Sequence, residues 1–281
     1  MISFQSMGRF GAFLCLLMGA ILFYTPHSRA ADLQQDPALA QLFSKAGVNG
    51  TLVLQRLDGS QRSIHNPQRA QTRFLPASTF KILNTLIALE RGVAKPHMIF
   101  KWDGVVRSYK VWNQDLTLSQ AFNISCVWCY QQLAQQIGVV GYRAAFAGLS
   151  YGTEAPGPEL TNFWLEGDLA ISALEQIHFL KQLVKQQLPF SPASYTTLKQ
   201  MMGHDLGQGA ILYAKTGWAA RVKPQIGWYV GYLQRAGEHW LFALNMEITQ
   251  PKQLKLRKQL VMDALRLKGL LPPLVQISHE G

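Results

Sequence analysis

The amino-acid sequence predicts an α/β fold of the α+β type. A single domain carries a central antiparallel sheet built from the N- and C-terminal segments, with helices on its faces and a mostly helical middle region. Three observations predict it: a hairpin signal at Gly50–His65, helical periodicity from Val93 to about His204, and three strand-like runs followed by a closing helix. Strands at both ends with helices between them bury their apolar faces best as one discontinuous sheet with helices packed on it.

Gly50–Leu57 is rich in Val, Leu and Thr, Asp58-Gly59 is a turn pair, and Ser60–His65 is the return strand of a β-hairpin. In Ser78–Glu90, the residues Phe80, Ile82, Leu83, Leu86, Ile87 and Leu89 fall around much of a helix, which must therefore be buried on most sides. Pro76 stands just before that helix, Ser78 opens it and Gly92 closes it. Further helices are predicted at Leu118–Ala121, Val127–Ile137, Ile171–Gln187 and Ser194–Met202, with loops around Trp102-Asp103-Gly104 and Gly148–Pro158. Ala210–Lys215, Trp228–Gln234 and Trp240–Ile248 read as strands, the last two joined by the turn Arg235-Ala236-Gly237. Pro251–Lys268 reads as the closing helix, stopped by Gly269 and the prolines at 272 and 273.

Composition bounds the function. Hydrophobic residues make up 48% of the chain and charged residues 15%, enough apolar material for a sizeable core and contrary to disorder. The net charge of +11 is scattered, which suits anionic small molecules or an anionic cell envelope; most of it reads as a solvated surface. A concentrated basic face with interleaved aromatics is missing, so no nucleic-acid partner is expected.

At the N-terminus, Arg9 precedes the apolar run Phe10–Phe23, and residues 1–30 hold neither Asp nor Glu. Ser28 and Ala30 place small residues before a cleavage point at Ala31, so residues 1–30 are predicted to be a removed signal peptide. The run is short of the roughly 20 residues a membrane span needs. The expected product is a periplasmic catalytic domain of residues 31–281, with no membrane attachment; a homodimer stays open. Only Cys126 and Cys129 survive cleavage, too few to staple this scaffold. Their Cys-x-x-Cys spacing invites a redox reading, but no thioredoxin-like context surrounds it, and small buried thiols are the plainer expectation. Whether they join stays open.

Three short segments carry chemistry. In Ser78-Thr79-Phe80-Lys81, helical spacing brings the Lys81 amine within reach of the Ser78 hydroxyl. Ser78 also sits at a helix N-terminus, where N–H groups favour developing negative charge. A serine beside an amine base is a workable acyl-transfer nucleophile. Taken alone, the segment equally fits an N-cap serine with a surface lysine. Yet the helix is apolar almost all round, which makes a solvated lysine less natural there. Lys215-Thr216-Gly217 stands at the end of a predicted strand, where an edge offers backbone groups, a charge, a hydroxyl and room for close approach. Taken alone, a strand ending in an ordinary turn is the preferred reading there. Ser125-Cys126-Val127 lies between them, and its hydroxyl suits relaying a proton to a leaving amine; the bland alternative is a helix cap.

The ordered set is what is specific. Ser-x-x-Lys, Ser-x-Val and Lys-Thr-Gly in this order resemble the penicillin-recognising serine enzymes. Phe100-Lys101-Trp102-Asp103-Gly104, Trp112-Asn113 with Asp115, and Asn162-Phe163-Trp164-Leu165-Glu166-Gly167 narrow the resemblance to class D (oxacillin-hydrolysing) serine β-lactamases. It runs from about Gly50 to the last helix. The resemblance implies hydrolysis of the β-lactam ring through an acyl-Ser78 intermediate. Glu166 lacks the surroundings of the glutamate base of class A relatives, so Lys81 is the expected base, carried as N6-carboxylysine after uptake of CO2 or bicarbonate.

By the same resemblance, Phe80, Val127, Trp164 and Leu165 wall the lysine pocket, and the Trp164 indole N–H donates to the carbamate. The backbone N–H groups of Ser78 and Trp218 form an oxyanion hole. Lys215, Thr216, Gly217 and Arg257 bind the substrate, and Trp112 shapes the cleft or the core. No metal or other cofactor is expected: His65, His97, His178, His204 and His239 show no ligand spacing, and no Gly-rich phosphate loop is present. Tyr151-Gly152-Thr153 departs from the family's usual Tyr-Gly-Asn. The competing readings are a β-lactam sensor that is acylated without turnover and a low-molecular-mass penicillin-binding protein.

Overall fold

The protein is described by a computed structural model covering residues 33–273; the predicted signal peptide lies outside the described residues. Helix α1 (Pro37–Ala46) opens the fold, capped by the Asp36 carboxylate and ended by Gly47 in the left-handed region. Strands β1 (Gly50–Arg56) and β2 (Arg62–His65) form the predicted hairpin, followed by the short helix α2 (Pro67–Gln71). A 3-10 turn, Ala77–Phe80, leads straight into α3 (Lys81–Glu90). Two-residue strands β3 (Ile99–Phe100) and β4 (Leu116–Thr117) pair beside the middle loop.

The helical middle follows as α4 (Leu118–Asn123), α5 (Val127–Phe146), α6 (Ala173–Val184) and α7 (Pro192–Met202). Gly138 leaves helical geometry inside α5, so the regular run stops at Ile137, as predicted, and a second run continues to Phe146. Each of the other three starts on a side-chain cap: Thr117, Ser172 and Ser191. Strands β5 (Gly203–Gly207), β6 (Ala210–Ala219), β7 (Gln225–Arg235) and β8 (Glu238–Ile248) come last, before a 3-10 turn and α8 (Leu256–Leu267). The β7–β8 hairpin turns through Ala236 and Gly237, both at positive φ, the geometry that matches strand twist.

The sheet order is β2-β1-β8-β7-β6-β5, antiparallel throughout. The first strands thus pair with the last one, which makes the sheet discontinuous as expected. Alternation in β8 sends Leu241 and Ala243 to one core and Phe242, Leu244 and Met246 to the other. The second core lies beneath α1 and α8, through Leu39, Phe43, Leu260 and Leu265. The first and larger core holds α3 to α7, with α3 buried on nearly every side. Among the described residues no helix is long and apolar enough to cross a membrane.

Two predicted boundaries need correction. Ser78 does not open an α-helix; it lies in the 3-10 turn, because Ala77 is held at φ 47 by its N–H bond to the Trp164 carbonyl, 2.9 Å. Lys215-Thr216-Gly217 is not at a strand end, since β6 continues to Ala219 by pairing with β7.

Candidate active site

One cleft of about 410 Å³ gathers most of the residues singled out by sequence: Ser78, Ser125, Val127, Leu165, Thr216, Gly217, Trp218 and Arg257. The nucleophile turn forms its floor. In a 3-10 turn, residues three apart eclipse, so Ser78 and Lys81 stay on one side despite the change of helix type. The turn is pinned from three directions. Ala77 bonds the Trp164 carbonyl, the Trp228 indole donates to the Leu75 carbonyl at 2.8 Å, and Thr79 Oγ1 donates to the Pro76 carbonyl at 2.8 Å. Gly217 lets β6 approach: a Cβ there would stand 2.8 Å from the Pro76 carbonyl oxygen and 3.1 Å from Thr79 Cγ2.

Lys81 is fully buried, and its Nζ has no hydrogen-bond partner among the described residues. The direct bond to Ser78 expected from helical spacing is not made; the amine lies instead over the Tyr130 ring, 4.2 Å from its centre. Burial first, and repulsion from Lys215 second, hold its pKa well below the ordinary lysine range. Trp164 is likewise buried with an unpartnered indole N–H, and it packs on Phe80 with ring centres 5.8 Å apart. Phe80 also meets Tyr142, Phe146, Tyr151 and Phe163, so the wall behind Lys81 is a continuous aromatic cluster.

Lys215 reaches across the cleft from β6 and donates to Ser125 Oγ at 2.5 Å and to the Thr216 carbonyl at 3.2 Å. Burial, helped by Arg257 and Lys258, lowers its pKa to about 7, so the amine is partly neutral near neutral pH. Arg257, in the first turn of α8, donates to the Gly217 carbonyl at 2.6 Å and to the Leu254 carbonyl at 2.7 Å, and burial brings its pKa to about 10. Beyond Tyr213, β6 has no β5 partner among the described residues, so its edge from Ala214 to Ala219 is not capped by another strand. That edge flanks the nucleophile turn.

Ser125 occupies an unusual junction. Its N–H bonds the Phe122 carbonyl at 3.2 Å, and the Cys126 N–H bonds the Ala121 carbonyl at 2.9 Å, the paired bonds that end a helix through a left-handed residue. Ser125 is that residue, at φ 58, a conformation that costs a non-glycine about 1–3 kcal/mol. Cys126 then caps α5 and is joined to Cys129 by a disulfide, a pairing that the sequence left open. In this N-cap geometry Cys126 and Cys129 stand within a turn of each other, Cα to Cα 5.5 Å, a spacing a disulfide spans.

Sequence reasoning passed over several lining residues: Ser108, Tyr109, Ile124, Ala220, Arg221 and Leu254. They sit in loops or turns, where no periodicity marks a buried face. Tyr130 was also missed, although it falls three residues after Val127 on α5. Trp112 serves both suggested roles: it lines the cleft, and its indole donates to the Ile124 carbonyl at 3.2 Å. Glu166 pairs with Arg221 at 2.8 Å, where solvent screens the contact. The Trp102-Asp103-Gly104 segment lies off the cleft, tied to Asp115 through the Trp102 N–H at 2.9 Å. Thr153 bridges its own loop by donating to the Asp168 carbonyl at 2.8 Å and accepting from the Ala170 N–H at 3.0 Å.

The profile of the penicillin-binding protein transpeptidase domain matches residues 50–266. Beta-lactamase OXA-48 of Klebsiella pneumoniae is 37% identical over 244 residues, covering 86% of this chain and 92% of that protein. Beta-lactamase OXA-20 of Pseudomonas aeruginosa is 36% identical over 265 residues, covering 93% and 98%. Among solved structures, the class D β-lactamase YbXI from Nostoc superposes with a TM-score of 0.81 at 38% identity, covering 83% of this chain and 99% of that one. FUS-1 (OXA-85), a class D β-lactamase from Fusobacterium nucleatum, superposes with a TM-score of 0.82 at 34% identity, covering 85% and 100%.

Proposed function

Because the chain belongs to the class D β-lactamases of the penicillin-binding-protein transpeptidase family, we propose that it opens the ring of penicillin-type antibiotics through an acyl-Ser78 intermediate, with carboxylated Lys81 as the base. It is a serine β-lactamase, a hydrolase of a cyclic amide, and as such confers β-lactam resistance. One observation carries the choice of base: the Lys81 amine is sealed in an aromatic pocket one 3-10 turn from Ser78, with no hydrogen-bond partner among the described residues. A buried amine is kept neutral, and only a neutral amine takes up CO2.

The residues present fit such a group. Lys81 would carry it, the unpartnered Trp164 indole N–H would donate to it, and Phe80, Val127 and Leu165 would keep bulk water away. A carbamate there supplies a general base for the Ser78 proton and, later, for the water that releases the acyl group. Every other part belongs to the chain itself. The Lys215 amine donates to Ser125 Oγ, which leaves the Ser125 hydroxyl proton free to pass to the departing ring nitrogen while Lys215 replaces it. The Ser78 and Trp218 backbone N–H groups, at the turn and on the β6 edge, would hold the oxyanion. Lys215, Thr216 and Arg257 would bind the substrate carboxylate beside Gly217.

The test is steady-state hydrolysis of a chromogenic cephalosporin, with and without bicarbonate, alongside 13C NMR of protein given labelled bicarbonate. Turnover that rises with bicarbonate, with a carbamate resonance lost in Lys81→Ala, is the expected result. A single stoichiometric burst would instead identify the acylated sensor. Full activity in Lys81→Ala would overturn the choice of base. The periplasmic location is part of the proposal, supported by residues 1–30; N-terminal sequencing of the cell-derived protein should begin at Ala31 and not at Met1.

A further inference from the structure

Directly after Ser125, a disulfide joins Cys126 to Cys129 across the first turn of α5. We infer that the Cys126–Cys129 disulfide is a positioning device that holds the Ser125 hydroxyl on Lys215, so that ring opening depends on the crosslink. The inference rests on the proposed role of Ser125 as relay.

The geometry supports it step by step. Ser125 is the single residue between the C-cap of α4, Ile124, and the N-cap of α5, Cys126, and it is held in a left-handed conformation that an L side chain rarely adopts. On its N-terminal side, the two bonds to Phe122 and Ala121 fix it to α4. On its C-terminal side, Cys126 is the N-cap of α5, where a Ser, Thr, Asp or Asn oxygen ordinarily receives the N–H three residues on. Sulfur is a weaker acceptor, and here Cys126 Sγ receives the Cys129 N–H at 3.2 Å while also bonded covalently to the Cys129 sulfur. The crosslink therefore performs the cap's task and prevents Cys126 from unwinding away from the helix. Trp112 adds a brace by holding the Ile124 carbonyl, and Trp128, in the first turn of α5, donates to the Trp112 carbonyl at 3.0 Å.

With the bond cut, Cys126 is free to turn. The strain at Ser125 then relaxes by moving its hydroxyl, because its neighbour on that side no longer resists. Lys215 is discouraged from following, because its buried amine is also tied to the Thr216 carbonyl at 3.2 Å and its backbone is paired with β7. A displacement of about 1 Å between reacting groups is enough to slow a proton transfer by one or two orders of magnitude.

Both cysteines are fully buried, so variants test the idea more cleanly than added reductant. The decisive protein is C126S/C129A, in which the serine oxygen restores an ordinary helix cap but no crosslink exists. Stopped-flow acylation by a chromogenic cephalosporin should slow by about tenfold or more in this variant. Deacylation of the preformed acyl-enzyme should stay within about twofold, because the relay acts on the leaving nitrogen and not on the attacking water. Acylation within about twofold of the parent, with or without a lower melting temperature, would overturn the inference and leave the disulfide a mere staple. An equal loss in both steps would also overturn it, as general loosening. Ser125→Ala is the control for the reading beneath: if that change leaves acylation fast, the relay itself fails. If it slows acylation and C126S/C129A does not, only the positioning role fails. Should C126S/C129A not fold, the parent reduced by dithiothreitol in mild denaturant, then diluted and assayed before reoxidation, gives the same comparison. There the two cysteine sulfurs take up two electrons and two protons as the dithiol closes to its own disulfide.

Discussion

Lys215 answers to opposed demands, and pH separates them. Its folded pKa of about 7 lies below the ordinary lysine value of 10.5 because it is buried among Arg257 and Lys258. Between those values the unfolded chain holds the extra proton, so stability rises with pH from about 7 toward 10. Above about 10 the trend reverses, since Tyr130, Tyr142 and Tyr151 are held protonated by burial while their unfolded counterparts ionise. Melting temperatures measured across this range should climb and then fall. In Lys215→Met the climb should become shallower, the remainder coming from buried Lys81, and the neutral-pH value should rise, because a buried charge is gone. The same change should cut kcat/KM by about two orders of magnitude, having removed a donor to both Ser125 and the substrate. Gly217→Ala tests the close approach of β6. The added methyl group meets the Pro76 carbonyl oxygen at 2.8 Å, and overpacking of that sort costs about 1–3 kcal/mol in denaturant unfolding, with slower acylation as the turn is pushed aside.

At the scale of elements, the loop that carries Trp164 and Leu165 is tied down by Thr153. A threonine serves where the family's usual asparagine would stand, because its hydroxyl both donates to the Asp168 carbonyl and accepts from the Ala170 N–H. Thr153→Val keeps the shape and removes both bonds, which should lower stability by about 1–3 kcal/mol. The looser loop should also raise the bicarbonate concentration needed for full turnover, while Thr153→Ser restores both readings. Helix α3 was legible because Ile82, Leu83, Leu86, Ile87 and Leu89 spread around much of it, and burial on nearly every side is what the fold shows. Strand β5 was not legible. Gly203–Gly207 is an exposed edge with little alternation, and only its pairing with β6 makes it a strand. The 3-10 geometry at Ser78 was hidden for a similar reason, since the Trp164 carbonyl that holds Ala77 is distant in sequence. Helix α1 did carry signals, Asp36, Pro37 and Gly47, which a reading centred on the motifs passed over.

For the molecule as a whole, the scattered excess of positive charge should act at a distance on anionic substrates. The kcat/KM for a dianionic cephalosporin should fall several-fold between about 50 and 500 mM salt, while kcat changes little, because screening weakens encounter and not the bound state. The cleft was readable as a set of residue types, yet its assembly depends on strands that meet from opposite ends of the chain. Pairing of β1 with β8, which joins Gly50 to Met246, sets a limit on when catalysis can begin. A growing polypeptide that has released Ser78 and Lys81 still lacks Lys215, Arg257 and the strand that seats them. The nucleophile therefore stays inert through nearly the whole of synthesis and becomes competent only once the final helix is free to dock. A premature stop ahead of β8 should silence the protein as completely as loss of the serine.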